Sequence, residues 1–563
     1  MAFKTGRCSL NGERIRPTMH LVMLGLCSML NYHFLGSFVR AGLIRSSWLE
    51  RTILVTVAGW LGLTCFYASY HLVSFLFSMA VRVKGSQVPR NFESTPPVAI
   101  LYPCMNDLRE RSLETCMAQN YPDYAVFVLD DSTSSGEQHR VEAYRRRNCD
   151  RLSVIRRGSR EGFKAGNLNN GLKKISQRYK YVCVVDADEL LPEMFLTEMV
   201  AIAEGNQHLG FVQASHSQYA ETLYGERTGE GIDLHWNYFL PARNYFGFVY
   251  FYGHGALLQR KALTAAGGFP EIVSEDVALS TKLREVGYRG YFAHEVQSFE
   301  EAAPTYRAFR RRTQKVTSGT LEFATRYYPS FFLSPNVSMV EKLDLLVSTS
   351  LLYLPAAFFC FLILLHCEIL VLASSSSAAS GFLAAWNGSY ADVATRVFSP
   401  LRSWEAVVFL LFTILAPLCY LVPNAFRSPK RVLFYILRMG AVHISLCVNI
   451  LVVTIKWLVY RRIAFVPTGD RSVDESGSNS GQIEFYLGLA MVLAGSFMGS
   501  LCLVAVGISL FLVPALSKSD LNGRLLSIAI TLPVLLTIVA ILGLPLLAVG
   551  ALGMFACVGI AHA

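Results

Sequence analysis

Charge is scarce in this sequence. Asp, Glu, Lys and Arg make up 16% of the 563 residues, against about 25% in soluble globular chains. The scarcity is uneven. Residues 81–340 hold a dense mix of Arg, Lys, Asp and Glu, while 340–563 are dominated by Leu, Val, Ala, Phe and Ile. That excludes a single soluble domain and the disordered and fibrous classes. Paired cysteines are lacking too. The thirteen Cys are scattered, with no CxxC and no Cys/His cluster, so a disulfide framework or a zinc site is excluded and reduced thiols are implied. No GxGxxG or GxxxxGK[ST] follows a candidate strand, which removes the main support for dinucleotide-binding and P-loop readings.

What is present is a set of apolar runs long enough to span a bilayer, which takes about 20 residues of helix. Two precede the charged region, Met19 to Val39 and Thr52 to Met79, and no small-residue cleavage site follows the first, so it reads as an anchor. Lys4, Arg7, Arg14 and Arg16 place the N-terminus in the cytoplasm by the positive-inside rule, with Arg40, Arg45 and Arg51 opposing. Five more runs follow: Leu343 to Ala373, Ala406 to Val422, Gly440 to Tyr460, Ile483 to Leu516 and Leu526 to Ile560. The run at 440–460 has basic flanks on both sides (Arg427, Lys430, Arg431 and Arg438 before it; Lys456, Arg461 and Arg462 at its end). It reads as interfacial or re-entrant, giving six crossings, with a seventh span as the alternative. The expected organisation is 1–80 two transmembrane helices, 81–300 a cytoplasmic catalytic domain and 301–341 interfacial amphipathic helices. Then come 342–438 two spans with a basic segment, 439–482 an interfacial helix with a loop, and 483–563 two spans. The place predicted is an inner or plasma membrane, crossed several times.

The charged region alternates strand and helix. Strands are predicted at 98–103, Ala125 to Leu129, Leu152 to Ile155, Tyr181 to Val185 and Gly210 to Ala214, with helices near Arg109 to Gln119, Gln138 to Arg147, Lys164 to Arg178 and Glu193 to Glu204. Such alternation argues for a parallel sheet with both faces covered. Ligands in such sheets sit beyond the carboxyl ends of the strands, and the acidic clusters fall there. Asp186-Ala187-Asp188 ends the clearest strand; carboxylates at i and i+2 suit a hard divalent cation such as Mg²⁺ or Mn²⁺. Asp130-Asp131-Ser132 ends a neighbouring one. Lys164 opens a helix inside Gly162 to Asn169, where a cation and backbone N–H groups meet phosphates. Asp276, in Ser274-Glu275-Asp276, is either a helix cap or a general base.

In order, Pro103 to Asp107, Asp130 to Ser132, Lys164 to Asn169, Asp186 to Asp188, Phe251 to Gly255 and Ser274 to Asp276 resemble the motifs of processive family 2 glycosyltransferases, the cellulose, hyaluronan and chitin synthases and bacterial β-glucan synthases. The resemblance covers most of 98–320. It implies an α/β GT-A-type nucleotide-sugar-binding domain inserted between α-helical transmembrane segments, with Mg²⁺ or Mn²⁺. By the same resemblance Asp107, Asp130, Asp131, Lys164, Asp186 and Lys315 would bind the nucleotide sugar, Asp186 and Asp188 the metal, and Asp276 would be the base of an inverting transfer. Phe251, Gly253, His254, Glu275 and Val316 would line the acceptor side. The implied partners are a UDP-sugar donor, taken as UDP-glucose, a growing β-linked polysaccharide and membrane lipid. A homo-oligomer or accessory secretion proteins are also open.

The family's Gln-x-x-Arg-Trp is not intact. Anchored on Gly319, Arg312 to Val316 align with it, so Lys315 stands for the Arg and Val316 for the Trp; anchored on Gln314, no cation fills the Arg position. Lys is a point charge, not a fork, and without the Trp the acceptor, linkage and processivity stay open. A single-sugar transfer to a lipid acceptor is therefore the rival within enzymes, and a transporter or scaffold with a degenerate domain the rival outside them. Arg462 to Asp470 resembles a gating loop, with an ordinary linker as alternative. Aromatic residues crowd 236–252, a lining for an acceptor channel or a packing core. Arg145-Arg146-Arg147 and Arg156-Arg157 make a basic run read as facing anionic lipid, not nucleic acid.

Overall fold

The computed structural model describes residues 15–376, 408–461 and 481–518, less a few isolated positions within them. Two helices lead, α1 (Thr18–Ile44) and α2 (Trp48–Lys84). The α/β part follows as β1 (Val98–Cys104), α3 (Glu110–Met117), β2 (Tyr124–Asp130), α4 (Ser135–Arg147), β3 (Leu152–Ile155), α5 (Phe163–Lys174), β4 (Tyr181–Val184), β5 (Glu189–Leu190), α6 (Phe195–Gly205) and β6 (Leu209–Tyr219). Next come α7 (Leu223–Thr228), α8 (Glu230–Tyr238), α9 (Arg243–Phe246), β7 (Ala256–Gln259), α10 (Arg260–Ala266), α11 (Glu275–Glu285) and β8 (Arg289–Glu301). Then α12 (Tyr306–Leu333), α13 (Met339–Ser350) and α14 (Leu354–Ser376) lead to helices Pro429–Tyr460, Gln482–Met498 and Leu501–Phe511.

The eight strands form one sheet in the order β3-β2-β1-β4-β7-β6-β8-β5. Its β3-β2-β1-β4 half is parallel, as the alternation predicts. The other half is mixed: β7 is antiparallel to β4 and to β6, β5 is antiparallel to β8, and β6 and β8 are parallel. Successive β-residues point to opposite faces, and here both faces are buried. On β1, Val98, Ile100 and Tyr102 enter one apolar layer with Leu113 and Met199, while Ala99 and Leu101 enter the other with Leu168 and Leu258. That double burial is why strands β1, β2 and β4 read as unbroken apolar runs.

Among the described residues, three stretches are long and apolar enough to cross a membrane: Trp48–Lys84, Met339–Leu372 and Val442–Tyr460. The last continues a helix that starts at Pro429, so the run read as interfacial is the C-terminal part of one long helix. The run Ile483 to Leu516, expected as one span, folds back at Ser500, which caps the second helix by accepting from Leu503 N. Small residues let the two halves approach: a Cβ at Gly495 would stand 2.8 Å from Leu503 Cβ, and one at Gly507 2.8 Å from Val492 N. The 462–470 loop, the 469–481 stretch up to residue 480 and the run Leu526 to Ile560 lie outside the described residues, as do positions 406, 407, 409, 410 and 414 of the run Ala406 to Val422. Every described cysteine is a free thiol.

Candidate active site

The loop after β1 and the loop after β2 are stitched together. Asn106, at φ +59°, accepts from Thr133 N (2.9 Å) and Ser134 N (3.0 Å) through Oδ1, and its own N donates to Ser132 Oγ (3.0 Å). Asp107 Oδ1 accepts from Met105 N at 2.6 Å. Asp130, buried at the end of β2, accepts from Ser132 N (2.9 Å) and Arg156 Nε (2.8 Å). Asp131 spends both oxygens on Arg157, at 2.9 and 2.7 Å, and the same guanidinium donates to the carbonyls of Glu161 (2.6 Å) and Phe163 (2.9 Å). Arg156 and Arg157 thus turn inward onto carboxylates, and Arg145 pairs with Glu142. Of the basic run read as a lipid-facing surface, Arg156 and Arg157 are held by carboxylates, while Arg146 and Arg147 stay exposed.

Helix α5 presents Lys164. Its sequence is poor for a helix: Gly166 and Gly171 each cost roughly 1 kcal/mol against Ala. Tertiary contacts outweigh that cost. Ala165 and Leu168 are fully buried, Asn167 donates to Leu129 O (2.8 Å), and Asn169 exchanges hydrogen bonds with the backbone of Phe269 (2.8 and 2.9 Å). Lys164 Nζ then donates to Asp186 Oδ1 (2.5 Å) and to Gly253 O (3.0 Å). Burial pulls the ammonium pKa down, but Asp186, Glu275 and Asp276 outweigh it and hold it above the ordinary value. Burial also pushes Asp186 up, and Lys164 and His254 overcome this, holding it low. Asp188 lacks such a partner; burial, Asp186 and Glu300 push it up to about 6. Burial, with Asp188 and Asp186, pushes Asp107 up to about 7.

Glu275 and Asp276 open α11 on the far side of Lys164. Asp276 Oδ1 accepts from Val277 N (2.8 Å), and a Cβ on Gly253 would stand 3.7 Å from both Asp276 Oδ2 and Lys164 Nζ. Gly253 sits at φ +92°, a conformation that side chains rarely adopt. Burial raises both acids, Glu275 to about 7, with its neighbour Asp276 adding to the effect and Lys164 and Lys315 opposing it. The charge of Lys315 reaches Asp186, Glu275 and Asp276 alike. Helix α12, which carries it, packs on Ser274 at Gly319, where a Cβ would lie 3.2 Å from Val273 Cγ1. Val316 is half-exposed on the same helix. Phe251 is a correction: its ring is fully buried beside Phe211 and Phe269, so it faces the core and not the acceptor side. Inward packing on β6 and α10 claims that ring.

Beneath Asp188 lies a cluster of which the sequence reading found only His254. Its imidazole bridges two buried acids, Nδ1 to Glu189 Oε2 at 3.2 Å and Nε2 to Glu300 Oε2 at 3.1 Å. Burial lowers the imidazole pKa, but Glu189 and Asp186 outweigh it and hold it well above the ordinary value. His216 lies 3.8 Å from Glu189 and 3.7 Å from Glu300, stacked on Trp236 at 4.2 Å between centroids. Glu189 also accepts from Gly255 N (3.1 Å) and Asp186 N (3.3 Å). The donor atoms of Glu189, His216 and His254 lie within 4.8 Å of one another, a set able to hold a metal ion. These residues come from β5, β6, β8 and the turn before β7; His254 carried a signal through its Phe251 to Gly255 motif, and Glu189 adjoins Asp188, while His216 and Glu300 carried none.

Gly255, at φ +57°, is the contact that closes this cluster: a Cβ would run into Glu189, His216 and Ser298 Oγ. Gly255→Ala is therefore expected to cost about 2–4 kcal/mol, from overpacking plus the left-handed backbone. A thermal-shift midpoint lowered by at least about 4 °C is the expected result, and an unchanged midpoint contradicts the packing.

Residues 181–544 match the model of the Glycosyl transferase family group 2. Glucans biosynthesis glucosyltransferase H of Rhodopseudomonas palustris is 25% identical over 222 residues, 35% of this chain and 30% of that protein. Probable glucomannan 4-beta-mannosyltransferase 4 of Oryza sativa subsp. japonica is 24% identical over 345 residues, 58% of this chain and 61% of that one. The chain thus spans less than two thirds of the length of either relative. Among solved structures, the mannosyltransferase PcManGT of Pyrobaculum calidifontis, in complex with GDP-Man and Mn²⁺, is 21% identical with a TM-score of 0.42, covering 68% of this chain and 99% of that one. The family match covers most of the chain. The chain belongs to the group 2 glycosyl transferases and is a glycosyltransferase related to β-glucan synthases.

Proposed function

From that membership we propose a membrane-embedded, inverting glycosyltransferase with a GT-A-type domain. It polymerises a sugar, glucose from UDP-glucose in the first instance, into a β-linked polysaccharide and passes the product across an inner or plasma membrane. The observation that carries the reading is Lys164, shared by Asp186 and Gly253 and facing Asp276. One cation at the ends of the strands lies between the acids assigned to the donor and the acid assigned to the acceptor.

Asp107 and Asp130 bind the nucleoside part of the donor, and Asp131, tied to Arg157, holds the loop before Lys164. Lys164 and Lys315 take the diphosphate. The acids at the strand ends fit a divalent cation: burial first, with the charges of neighbouring carboxylates adding to it, raises the pKa values of Asp107 and Asp188. Asp186 and Asp188 would hold it, and when bound it neutralises charge on the leaving diphosphate. Asp276 takes the proton from the acceptor hydroxyl as that oxygen attacks the anomeric carbon. Gly253, His254, Glu275 and Val316 border the acceptor, with Phe251 behind them in the core. His254, braced by Glu189 and Glu300, keeps the Gly253 turn in place. The organisation in sequence, two helices, catalytic domain, α12 and the later apolar helices, is read as a transferase domain set between membrane segments.

The test is purified full-length protein offered a panel of UDP-sugars with Mg²⁺ or Mn²⁺, followed by sizing of the product. Long polymer supports the synthase. A single sugar on a lipid is the second reading, favoured by the aliphatic Val316 where the resemblance expects an aromatic platform. Neither transfer nor hydrolysis of any donor overturns both.

A further inference from the structure

Helix α13 carries an acid inside an apolar stretch. Asp344 lies within Met339–Leu372 and is 1% exposed. A carboxylate buried there without partners is expensive, and removing one member of a buried pair leaves the other uncompensated. Asp344 is fully engaged, and its partners come from three other segments. Oδ1 accepts from the Tyr70 hydroxyl of α2 (2.9 Å) and meets His20 Nε2 of α1 (3.3 Å). Oδ2 accepts from Phe248 N (2.9 Å) and lies 3.5 Å from Arg243 Nε on α9. Arg243 is itself buried; it donates to the Tyr70 hydroxyl (2.6 Å) and to the Phe239 carbonyl, with its guanidinium 3.3 Å over the Phe239 ring. Gly247 permits the approach, since a Cβ there would stand 2.8 Å from both Arg243 Cγ and Asp344 Cγ.

What separates this node from an ordinary brace is where Phe248 leads. Residues 248–255 form neither helix nor strand, so their path is set by individual anchors. Phe248 N is held by Asp344, Phe251 N by Ser280 Oγ (2.7 Å) and Tyr252 N by Gln213 Oε1 (2.9 Å). Gly253 O then receives Lys164, and Gly255 N donates to Glu189. The first anchor belongs to the helical part and the last two to the site.

We propose that Asp344, with Arg243, is a positioning residue for the transfer reaction. It fixes the start of segment 248–255, so that the packing of α1, α2 and α13 decides where Gly253 and its Lys164 contact lie. The catalytic readout of this inference rests on the transferase reading above; its structural readout does not.

The experiment uses full-length protein with Asp344→Ala, and with Asp344→Asn, which keeps the size and one acceptor oxygen should the alanine variant fail to fold. Amide hydrogen exchange over 248–255 is expected to quicken at least tenfold while β1 and β2 stay unchanged. Turnover should fall at least tenfold with donor KM moving less than threefold, because attack geometry is more sensitive to position than binding. Asp344→Asn combined with Ser280→Ala should lower turnover by less than the product of the single effects, as two anchors on one short segment require. Unchanged exchange at 248–255 overturns the proposal. So does a multiplicative double variant, or a turnover loss that only mirrors unfolded protein. If the unsubstituted protein turns over no donor, the transferase reading fails and the exchange result alone decides the role of Asp344.

Discussion

Asp276→Asn is expected to lower turnover by about 10²- to 10⁴-fold, the contribution of a positioned general base, with donor affinity within threefold of the original. The substitution separates the two roles open to this residue. Asp276 Oδ1 accepts from Val277 N, and an Asn side-chain oxygen keeps that bond, so the start of α11 survives. A lost cap alone costs about 1 kcal/mol of stability, whereas the base is worth roughly 3–5 kcal/mol of barrier. Stability and turnover therefore move by different amounts, and only the base reading predicts a folded, donor-binding, inactive protein. Burial raises the Asp276 carboxyl, which makes it a better proton acceptor once ionised. Donor-dependent release of the nucleoside diphosphate measures the loss. If Asp276→Asn stays active, the role is reassigned to its neighbour Glu275, whose carboxyl stands at about 7, and Glu275→Gln becomes the inactive variant.

The parts of this site that were legible in the sequence share a physical cause. Asp130 and Asp186 stand at or just past the ends of strands that read as apolar runs, Ala125 to Leu129 and Tyr181 to Val184. A change from apolar to acidic marks a strand end wherever both faces of a sheet are covered. β8 gives no such mark. It reads Arg-Gly-Tyr-Phe-Ala-His-Glu-Val-Gln-Ser-Phe-Glu-Glu, and its buried polar residues, Ser298, Glu300 and Glu301, look like solvent-facing ones until His254, His216 and Arg109 are found beside them. The mixed half of the sheet was hidden for that reason. The basic run at 156–157 failed in the opposite way: local charge says surface, and only the pairing of β2 with β3 brings Arg156 and Arg157 onto Asp130 and Asp131. In the run Ile483 to Leu516 every face is apolar, so periodicity could not report the reversal at Ser500. Asp344 was invisible for a similar reason, since its partners are supplied by segments hundreds of residues away.

The second large effect concerns the acids themselves. Asp107 stands at about 7 and Asp188 at about 6, in both cases because burial disfavours the charged form and neighbouring carboxylates add to it. Their folded values lie above the ordinary value of 3.8, so the stabilisation they give is fully present below that value. It is lost as pH rises through 6 and 7. Metal-free protein is therefore expected to melt at a higher temperature at pH 5 than at pH 8. A divalent cation needs the ionised carboxylates, so Mn²⁺ should raise the melting midpoint at pH 8 and do little at pH 5. Its apparent affinity should fall by roughly tenfold per pH unit for each proton it must displace. Asp188→Asn removes one of those protons and one ligand. Metal-stimulated turnover should drop about 10³-fold, several kcal/mol of lost charge stabilisation, and the difference between pH 5 and pH 8 midpoints should shrink. Melting curves with Mn²⁺ and with EDTA across that range decide the matter. Midpoints insensitive to pH in the metal-free protein, or an Asp188→Asn variant with the full Mn²⁺ response, would take the cation away from Asp186 and Asp188. The donor set of Glu189, His216 and His254 would then be the place to look for it, with Glu189→Gln as the substitution that abolishes the response.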